Sequence, residues 1–169
     1  MLLRRECPRD QSAVRAVHRA AFGDGVDAVE AQLVDDLRAD KDVIPALSLV
    51  AVVDGDVVGH VVCSRASIGE RPSIGLAPLG VIPAYQRRGV GQALMHAVLA
   101  AADALDEPAV ALVGDPAYYS RFGFVAGATL GVLPPVPDWG RHFQVRPLHA
   151  WHDSLRGTFR YARAFDRLL

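Results

Sequence analysis

Near the middle of the chain, a strand-like apolar run leads into a glycine-containing loop and then into a helix-like repeat. The run covers residues 73–82, and the loop reads QRRGVG at residues 86–91. Beyond the loop, apolar residues recur at intervals of three and four up to about Leu105, which predicts an amphipathic helix. The predicted inner face consists of Val90, Ala93, Leu94, Ala97, Val98 and Ala101. A strand that passes through a short loop into a helix favours folds that pack helices on a sheet.

The loop has the properties of an anion-binding site. The first turn of a helix has backbone N–H groups without an internal partner, and the helix dipole favours negative charge there. Gly89 and Gly91 let an anion approach the backbone with no Cβ in the way, and Arg87 and Arg88 add positive charge at the rim. A pyrophosphate would suit this loop. The alternative is a tight strand-to-helix turn that binds no ligand.

Two other phosphate loops do not fit the spacing. A Walker A loop has four residues between its glycines and then a Lys-Ser/Thr pair, and neither feature occurs here. A dinucleotide fingerprint needs a small residue where this chain has Leu94.

Before this region, the chain mixes helical and strand patterns. A short strand is predicted around residues 2–5, and Asp10 is a plausible N-cap of a helix that runs to about Ala21. A second helix carries Val26, Val29, Leu33 and Leu37 at helical spacing. Residues 47–53 and 57–64 are valine-rich runs on either side of an Asp-Gly-Asp turn, which predicts a hairpin. Pro78, inside the third strand, requires a sheet edge or a bulge.

After the central helix, residues 109–113 form another predicted strand, and a short helix follows from Pro116 through Arg121. A further strand opens at Phe124. Residues 131–140 hold three prolines and two glycines, which predicts a loop. Residues 143–148 are the last strand candidate. Together these patterns predict one domain over residues 1–169 with an α/β or α+β sheet and helices on both faces.

Composition excludes several classes of function. The formal net charge is -1, which gives no global attraction to nucleic acid or to an anionic membrane. The apolar runs are shorter than the roughly 20 residues that cross a bilayer. No long apolar segment follows the first charged residues, so we expect no signal peptide and a cytoplasmic location. The two cysteines and six histidines show no metal-ligand spacing, so no metal is expected.

The region around the loop resembles the GNAT superfamily of N-acetyltransferases. Their signature Q/R-x-x-G-x-G/A, preceded by V-x-P, is matched at every position by VIPAYQRRGVG, residues 81–91. YYSRFGF, residues 118–124, is similar to the Y-x-x-x-G-F of the same superfamily. Residues 114–119 and 157–165 resemble its bacterial YhbS-like subgroup. The specific motifs lie within residues 73–124, and the element order extends to the C-terminal strand and tail, residues 128–169.

This resemblance implies the acyl-CoA N-acyltransferase fold, a central mixed, mostly antiparallel twisted sheet with splayed middle strands. It implies acetyl-CoA as the acetyl donor, without a metal, and direct attack by a primary amine of a small molecule or peptide. From the charge and composition we expect no nucleic-acid or membrane partner, and a homodimer stays open. The implied cofactor-binding residues are Val81, Gln86, Arg87, Arg88, Gly89, Val90 and Gly91.

The resemblance also suggests catalytic groups. A bulge at Pro78 would aim the backbone N–H of Leu79 or Gly80 at the thioester carbonyl, where it would stabilise an oxyanion. Tyr119 matches the superfamily tyrosine near the sulfur, so its phenol would protonate the departing thiolate. The alternative for Tyr119 is a packing role, which its neighbour Tyr118 fits better. Trp139 is placed by its position to wall the acceptor side.

The general base is open at this stage, because residues 73–82 contain no carboxylate. Glu70, His60 and Asp115 are nearby candidates, but Asp115 is better explained as the N-cap of the helix at Pro116. A chain of waters would also serve, and no residue is assigned. The same fold and loop could instead belong to a non-catalytic acyl-CoA-binding sensor or partner module.

Overall fold

The computed structural model describes residues 1–23 and 29–167. Its strands are β1 (Leu2–Arg5), β2 (Val43–Val53), β3 (Asp56–Ile68), β4 (Arg71–Val81), β5 (Ala109–Val113), β6 (Val125–Ala126), β7 (Val132–Leu133), β8 (Phe143–Pro147) and β9 (Gly157–Arg160). Its α-helices are α1 (Gln11–Phe22), α2 (Val29–Ala39), α3 (Val90–Ala104) and α4 (Pro116–Tyr119). Short 3-10 turns cover Pro8–Asp10, Pro83–Tyr85, Ser120–Phe122, Gly127–Leu130, Pro137–His142 and Arg163–Arg167. Val26, predicted in the second helix, lies outside the described residues.

The strands form one mixed sheet in the order β1-β2-β3-β4-β5-β8-β6, with β9 paired to β3 and β7 paired to β9. The β4–β5 and β7–β9 pairs are parallel, and the other pairs are antiparallel. The predicted fold class, a mixed and mostly antiparallel sheet, is therefore confirmed.

Alternate residues of β2 and β3 face opposite sides of the sheet, and each side is covered by helices. Leu49 and Val61 belong to the larger core together with α3, whereas Val50 and Val62 pack with Val14 of α1. This period of two is what a strand buried on both faces requires. The prediction of helices on both faces is confirmed.

The buried stripe of α3 differs in part from the predicted one. Val90, Leu94 and Val98 are buried as predicted, but the predicted alanines of that face are only half-buried. Met95 and Leu99 are buried instead, so the face that α3 turns to the sheet is rotated toward these two positions.

The hairpin between β2 and β3 forms as predicted. Val53 pairs with Asp56, and the two turn residues Asp54 and Gly55 have φ angles of 52° and 94°. Positive φ at both positions is what a two-residue hairpin turn requires, and it explains the Asp-Gly pair.

The C-terminal third departs most from prediction. Within the predicted loop at residues 131–140, β7 pairs with β9, and β9 lies in what was expected to be a tail after the last strand. Both strands are short and are stabilised by pairing with residues distant in the sequence. The prolines and glycines nearby therefore predict a loop where the folded chain has strands. Asp10 does not cap α1 with its side chain, because that carboxylate accepts hydrogen bonds from Arg4 and from the Cys7 N–H.

The middle of the sheet splays apart. β4 and β5 pair only through Ile74 with Val110 and Gly75 with Ala111, and both strands then run on unpaired with each other. The register of β3 against β4 shifts between the pairs Val61–Leu79 and Cys63–Leu76, so β4 carries a bulge there. Pro78 lies in that bulge, since it has no N–H to contribute to a ladder.

Candidate active site

The loop after β4 forms one side of a cavity of about 460 Å³, here called the loop cavity. Gly89, with φ of 84°, stands immediately before α3 in a conformation that favours glycine. The side-chain amide of Gln86 donates to the Val81 carbonyl at 2.9 Å, which ties the loop to the end of β4. The described residues that line the cavity are Val81, Gln86, Arg87, Gly89, Gly91, Gln92, Tyr118 and Arg121.

The loop cavity is positively charged. Arg87 and Arg121 line it, and its described lining includes no carboxylate. Arg88 points elsewhere, with its guanidinium 5.7 Å from the centre of the Tyr85 ring. The side chain of Val90 is buried in the core, so Val90 can offer only its backbone to a ligand.

Sequence reasoning missed Arg121 and Gln92. Arg121 lies three positions after Tyr118, in the turn that continues α4, and its guanidinium is 4.9 Å from the centre of the Tyr118 ring. Gln92 lies one position beyond Gly91, in the first turn of α3. Helical spacing from the residues already identified would have pointed to Arg121.

A second cavity, of about 340 Å³, opens between the splayed strands and is here called the apolar cleft. The described residues that line it are Phe22, Glu30, Leu33, Leu76, Ala77, Pro78, Leu79, Leu112, Val113, Tyr119, Trp139, Tyr161 and Phe165. Glu30 is the only carboxylate among them. Trp139 lines this cleft, and its placement on the acceptor side stays a prediction.

The two neighbouring tyrosines face different cavities. Tyr119 lines the apolar cleft, whereas Tyr118 lines the loop cavity beside Gly91, and their rings meet edge to face at 4.9 Å. Burial, with a smaller contribution from Tyr118, raises the pKa of Tyr119 to about 12. The Tyr119 phenol is therefore protonated at neutral pH and can donate a proton to a group in the cleft.

The bulge of β4 brings Leu79 to the floor of the apolar cleft. Gly80, the next residue, is buried behind that floor and lies against α1. A Cβ at Gly80 would stand 2.7 Å from Nδ1 of His18, so only glycine leaves room for that imidazole. Leu79 thus borders the cleft directly, and Gly80 does not line it.

Comparison with known proteins agrees with this geometry. Residues 45–126 match the acetyltransferase (GNAT) domain. The chain is 38% identical over 161 residues to YhbS of Escherichia coli, described as an uncharacterized N-acetyltransferase, and the match covers 94% of this chain and 92% of YhbS. This chain belongs to the GNAT family of acetyltransferases. A second E. coli relative, the uncharacterized N-acetyltransferase YjhQ, is 40% identical over 161 residues, or 90% of this chain and 87% of YjhQ.

Solved structures of GNAT proteins share the fold along the whole chain. The crystal structure of E. coli YhbS in complex with CoA superposes with a TM-score of 0.89 at 32% identity, over 99% of this chain and 93% of that one. A GNAT acetyltransferase from Brucella melitensis in complex with acetyl-CoA gives a TM-score of 0.80 at 33% identity, over 98% and 97% of the two chains.

Two of the three candidate bases in this GNAT protein do not face the cleft. The Asp115 carboxylate accepts the Ala117 N–H at 2.9 Å and caps α4, as its position before Pro116 suggested. Glu70 lies in the turn before β4, at the end opposite the loop. His60 is fully buried and belongs to a network described below.

Other reactive side chains are accounted for. Burial raises the pKa of the Cys63 thiol, which makes it a poor nucleophile. His149 is held by Asp103 and Asp106 and not by His152. Within residues 1–23 and 29–167, no group of three or more His, Cys, Asp or Glu side chains could hold a metal ion. Over the same ranges, no helix combines the length and apolar character needed to span a bilayer.

Proposed function

We propose that this GNAT protein transfers the acetyl group of acetyl-CoA to a primary amine. The observation that carries the proposal is the adjacency of the two cavities. On β4, Val81 borders the loop cavity and Leu79 borders the apolar cleft. On α4, Tyr118 borders the loop cavity and Tyr119 borders the apolar cleft. A phosphate-binding loop beside an apolar cleft suits a donor with a charged pyrophosphate and a neutral thioester end.

The loop cavity would hold the pyrophosphate. The N–H groups at the start of α3 have no helical partner and carry the positive end of the dipole. Gly89 and Gly91 leave the backbone open, and Arg87 adds charge at the rim. Arg121, from the turn that follows α4, adds a second cation. Arg88 contributes less, because its side chain turns away.

The cleft would hold the reacting atoms. An alkyl ammonium has a pKa near 10.4 and must lose a proton before its nitrogen can attack the thioester carbon. Backbone N–H groups at Leu79 or Gly80 would stabilise the charge that develops on the carbonyl oxygen. When the C–S bond breaks, the sulfur keeps the electron pair and takes the Tyr119 proton.

We infer further that the acceptor carries its amine on an apolar body. Most described residues of the cleft are aliphatic or aromatic, and such walls bury apolar substrate surface. Glu30 supplies the one carboxylate among those described residues, and the rings of Trp139 and Tyr161 can face an ammonium. A cytoplasmic location and a homodimer stay predictions.

Titration calorimetry with acetyl-CoA, followed by thiol release with an amine panel, tests the proposal. The panel should compare phenethylamine, which has an apolar body, with a polyamine of similar length. We expect acetyl-CoA to bind and thiol release to be faster with phenethylamine, with acetylated product confirmed by mass spectrometry. Binding without transfer to any amine would instead indicate the non-catalytic acyl-CoA-binding module.

A further inference from the structure

A chain of buried polar side chains runs from the segment after β1 to the back of β4. His18 Nε2 lies 2.8 Å from His60 Nδ1, and His60 Nε2 lies 3.0 Å from Ser48 Oγ and 3.3 Å from a Glu6 carboxylate oxygen. Glu6 also accepts hydrogen bonds from Ser48 and Arg38. Both histidines are fully buried.

The charge of Glu6 determines which ring nitrogens of His60 and His18 carry protons. Burial alone would raise the pKa of Glu6, but hydrogen bonds with His60 and Ser48 and the charge of Arg38 outweigh it and lower that pKa to about 2. Glu6 is therefore a carboxylate, which only accepts hydrogen bonds, so His60 carries its proton on Nε2. A neutral His60 then accepts at Nδ1, and His18 must be the donor, through its Nε2.

Both histidines are neutral at physiological pH. Burial lowers the pKa of His18 to about 3, with the electrostatic effects of His60 and Arg38 acting in the same direction and Glu6 opposing them. Burial also lowers the pKa of His60, against the opposing effects of Glu6 and Asp10. With its proton on Nε2, neutral His18 has an unprotonated lone pair on Nδ1.

That lone pair has no hydrogen-bond partner among the described residues, although buried polar atoms normally have one. It faces Gly80, where a Cβ would stand 2.7 Å from Nδ1. The His18 ring also stacks on Phe22 at 6.0 Å, and Phe22 lines the apolar cleft, as does Leu79 beside Gly80. The free end of the chain therefore lies directly behind the cleft wall.

We propose that Glu6, His60 and His18 form a proton relay, and that Nδ1 of His18 takes up the proton lost by the acceptor amine. This proposal rests on the proposed acetyl transfer and supplies its missing base. Phe22 is 46% exposed, lines the cleft and stacks on His18, so the proposed transfer requires its ring to move and open a path from the cleft to His18.

The transfer balances. One N–H bond of the acceptor ammonium breaks and its proton bonds to His18 Nδ1, which leaves a neutral amine. The His18 Nε2 proton moves to His60 Nδ1, and the His60 Nε2 proton moves to the Glu6 carboxylate. Glu6 releases this proton to water. When the amine nitrogen then bonds to the carbonyl carbon and the C–S bond breaks, Tyr119 protonates the sulfur, and the second N–H proton passes to the Tyr119 oxygen.

The variant His18→Gln tests the relay. A glutamine amide can still donate to His60 Nδ1 but has no basic lone pair. His149→Gln is the matched control, because it removes an exposed histidine that is not among the residues lining the cleft. Single-turnover rates should be measured from pH 6 to pH 10 with an amine that the wild type acetylates, alongside the Kd for acetyl-CoA and the melting temperature.

We expect His18→Gln to lower the rate about 100-fold or more at pH 7, the scale of general-base catalysis. The deficit should shrink as the pH approaches the pKa of the amine, near 10.4, because the free amine then needs less help. Acetyl-CoA affinity and the behaviour of His149→Gln should match the wild type. A deficit of equal size at every pH, or no deficit, would overturn the relay.

Nitrogen-15 NMR of the histidines gives a test that needs no acceptor. The wild type at pH 7 should show neutral His18 and His60, each protonated on Nε2, and the opposite tautomer of His18 would overturn the proposal. If the wild type acetylates no amine, the proposed function and the relay are both overturned. If the wild type turns over and His18→Gln has the same rate, only the relay is overturned.

Discussion

The ring of Tyr119 packs against the backbone of Gly114, where a Cβ would stand within 2.8 Å of the ring carbon Cδ2. Gly114 directly follows β5, and its N–H donates to the His142 carbonyl at 3.0 Å. Its carbonyl accepts the Gln144 amide at 3.1 Å, so both backbone polar groups of Gly114 are bound by residues of the 142–144 segment. The absence of a side chain at Gly114 therefore sets how closely the phenol approaches the end of β5 in the cleft.

We expect Tyr119→Phe to lower turnover much more than binding. The change removes the hydroxyl and keeps the ring packed against Gly114. Loss of a general acid typically costs about 10²–10⁴-fold in kcat. The measurement is kcat and KM under conditions where chemistry limits the rate, together with the Kd for acetyl-CoA.

Tyr118→Phe is the matched control for this variant. Tyr118 lines the loop cavity and not the cleft, so its kcat should stay near that of the wild type. Full kcat in Tyr119→Phe would mean that solvent protonates the thiolate. A large loss of kcat in Tyr118→Phe alone would mean that Tyr118, and not Tyr119, is the general acid.

Gly114→Ala should displace the Tyr119 ring, because the new methyl group overlaps the ring carbons. Overpacking of this kind typically costs about 1–3 kcal/mol of stability. We expect kcat to fall while the Kd for acetyl-CoA stays within about twofold, since the loop cavity is untouched. Urea unfolding and kinetics check the two effects. Ala117→Gly on α4 serves as a control of similar size outside the ring contact.

Arg87 and Arg88 are adjacent, yet only Arg87 lines the loop cavity. Arg87→Gln should raise the Kd for acetyl-CoA about fivefold, which corresponds to roughly 1 kcal/mol for an exposed charge. Arg88→Gln should change it less than twofold, because that side chain lies by Tyr85. Titrations at low and high salt check this, since the Arg87 effect should weaken with salt. Equal losses in both variants would indicate a general charge effect.

Gly91→Glu should weaken acetyl-CoA binding at least about tenfold while the fold survives. Its Cβ would stand 3.0 Å from the Tyr118 hydroxyl, and its carboxylate would repel the pyrophosphate. A glutamate in the first turn of a helix is otherwise favourable, so α3 should stay folded. Calorimetry beside circular dichroism measures both. Ala100→Glu, an exposed position on the same helix, is the control and should bind normally.

The parts of the fold that could be predicted are those specified by residues close together in the sequence. The Asp54-Gly55 turn specifies its hairpin through two positive φ angles, and the spacing around Val90, Leu94 and Val98 specifies α3. The loop residues at the cavity follow from the same local signal, because a helix start has free N–H groups wherever it lies.

The parts that could not be predicted depend on contacts across long distances in sequence. β9 pairs with both β3 and β7, and neither pairing leaves a pattern in so short a strand. His60 was a candidate base, but its partner His18 lies 42 residues away on α1, and helical periodicity gives no reason to single it out. Only the folded sheet places Gly80 against that imidazole.

The buried histidines should make stability depend on pH. Burial lowers the pKa of His18 to about 3, whereas an unfolded histidine titrates near 6.5. Between these values the unfolded chain binds a proton that the folded chain does not, so stability falls as the pH drops below about 6.5. Each such histidine contributes a slope of up to about 1.4 kcal/mol per pH unit. His60, whose pKa burial also lowers, acts in the same direction.

Urea unfolding at several values between pH 7.5 and pH 5 measures this slope. Glu6 does not interfere, because its pKa of about 2 lies below that of an unfolded glutamate, and its contribution is lost only as the pH falls below about 4.5. His18→Gln should flatten the profile. His149→Gln should steepen it, since the hydrogen bond with Asp103 raises the pKa of His149 and gives stability at low pH. A flat profile in His149→Gln, which lacks the opposing His149 contribution, would mean that His18 and His60 take up protons in the folded protein as they do in the unfolded chain, and would contradict the neutral tautomers assigned to them.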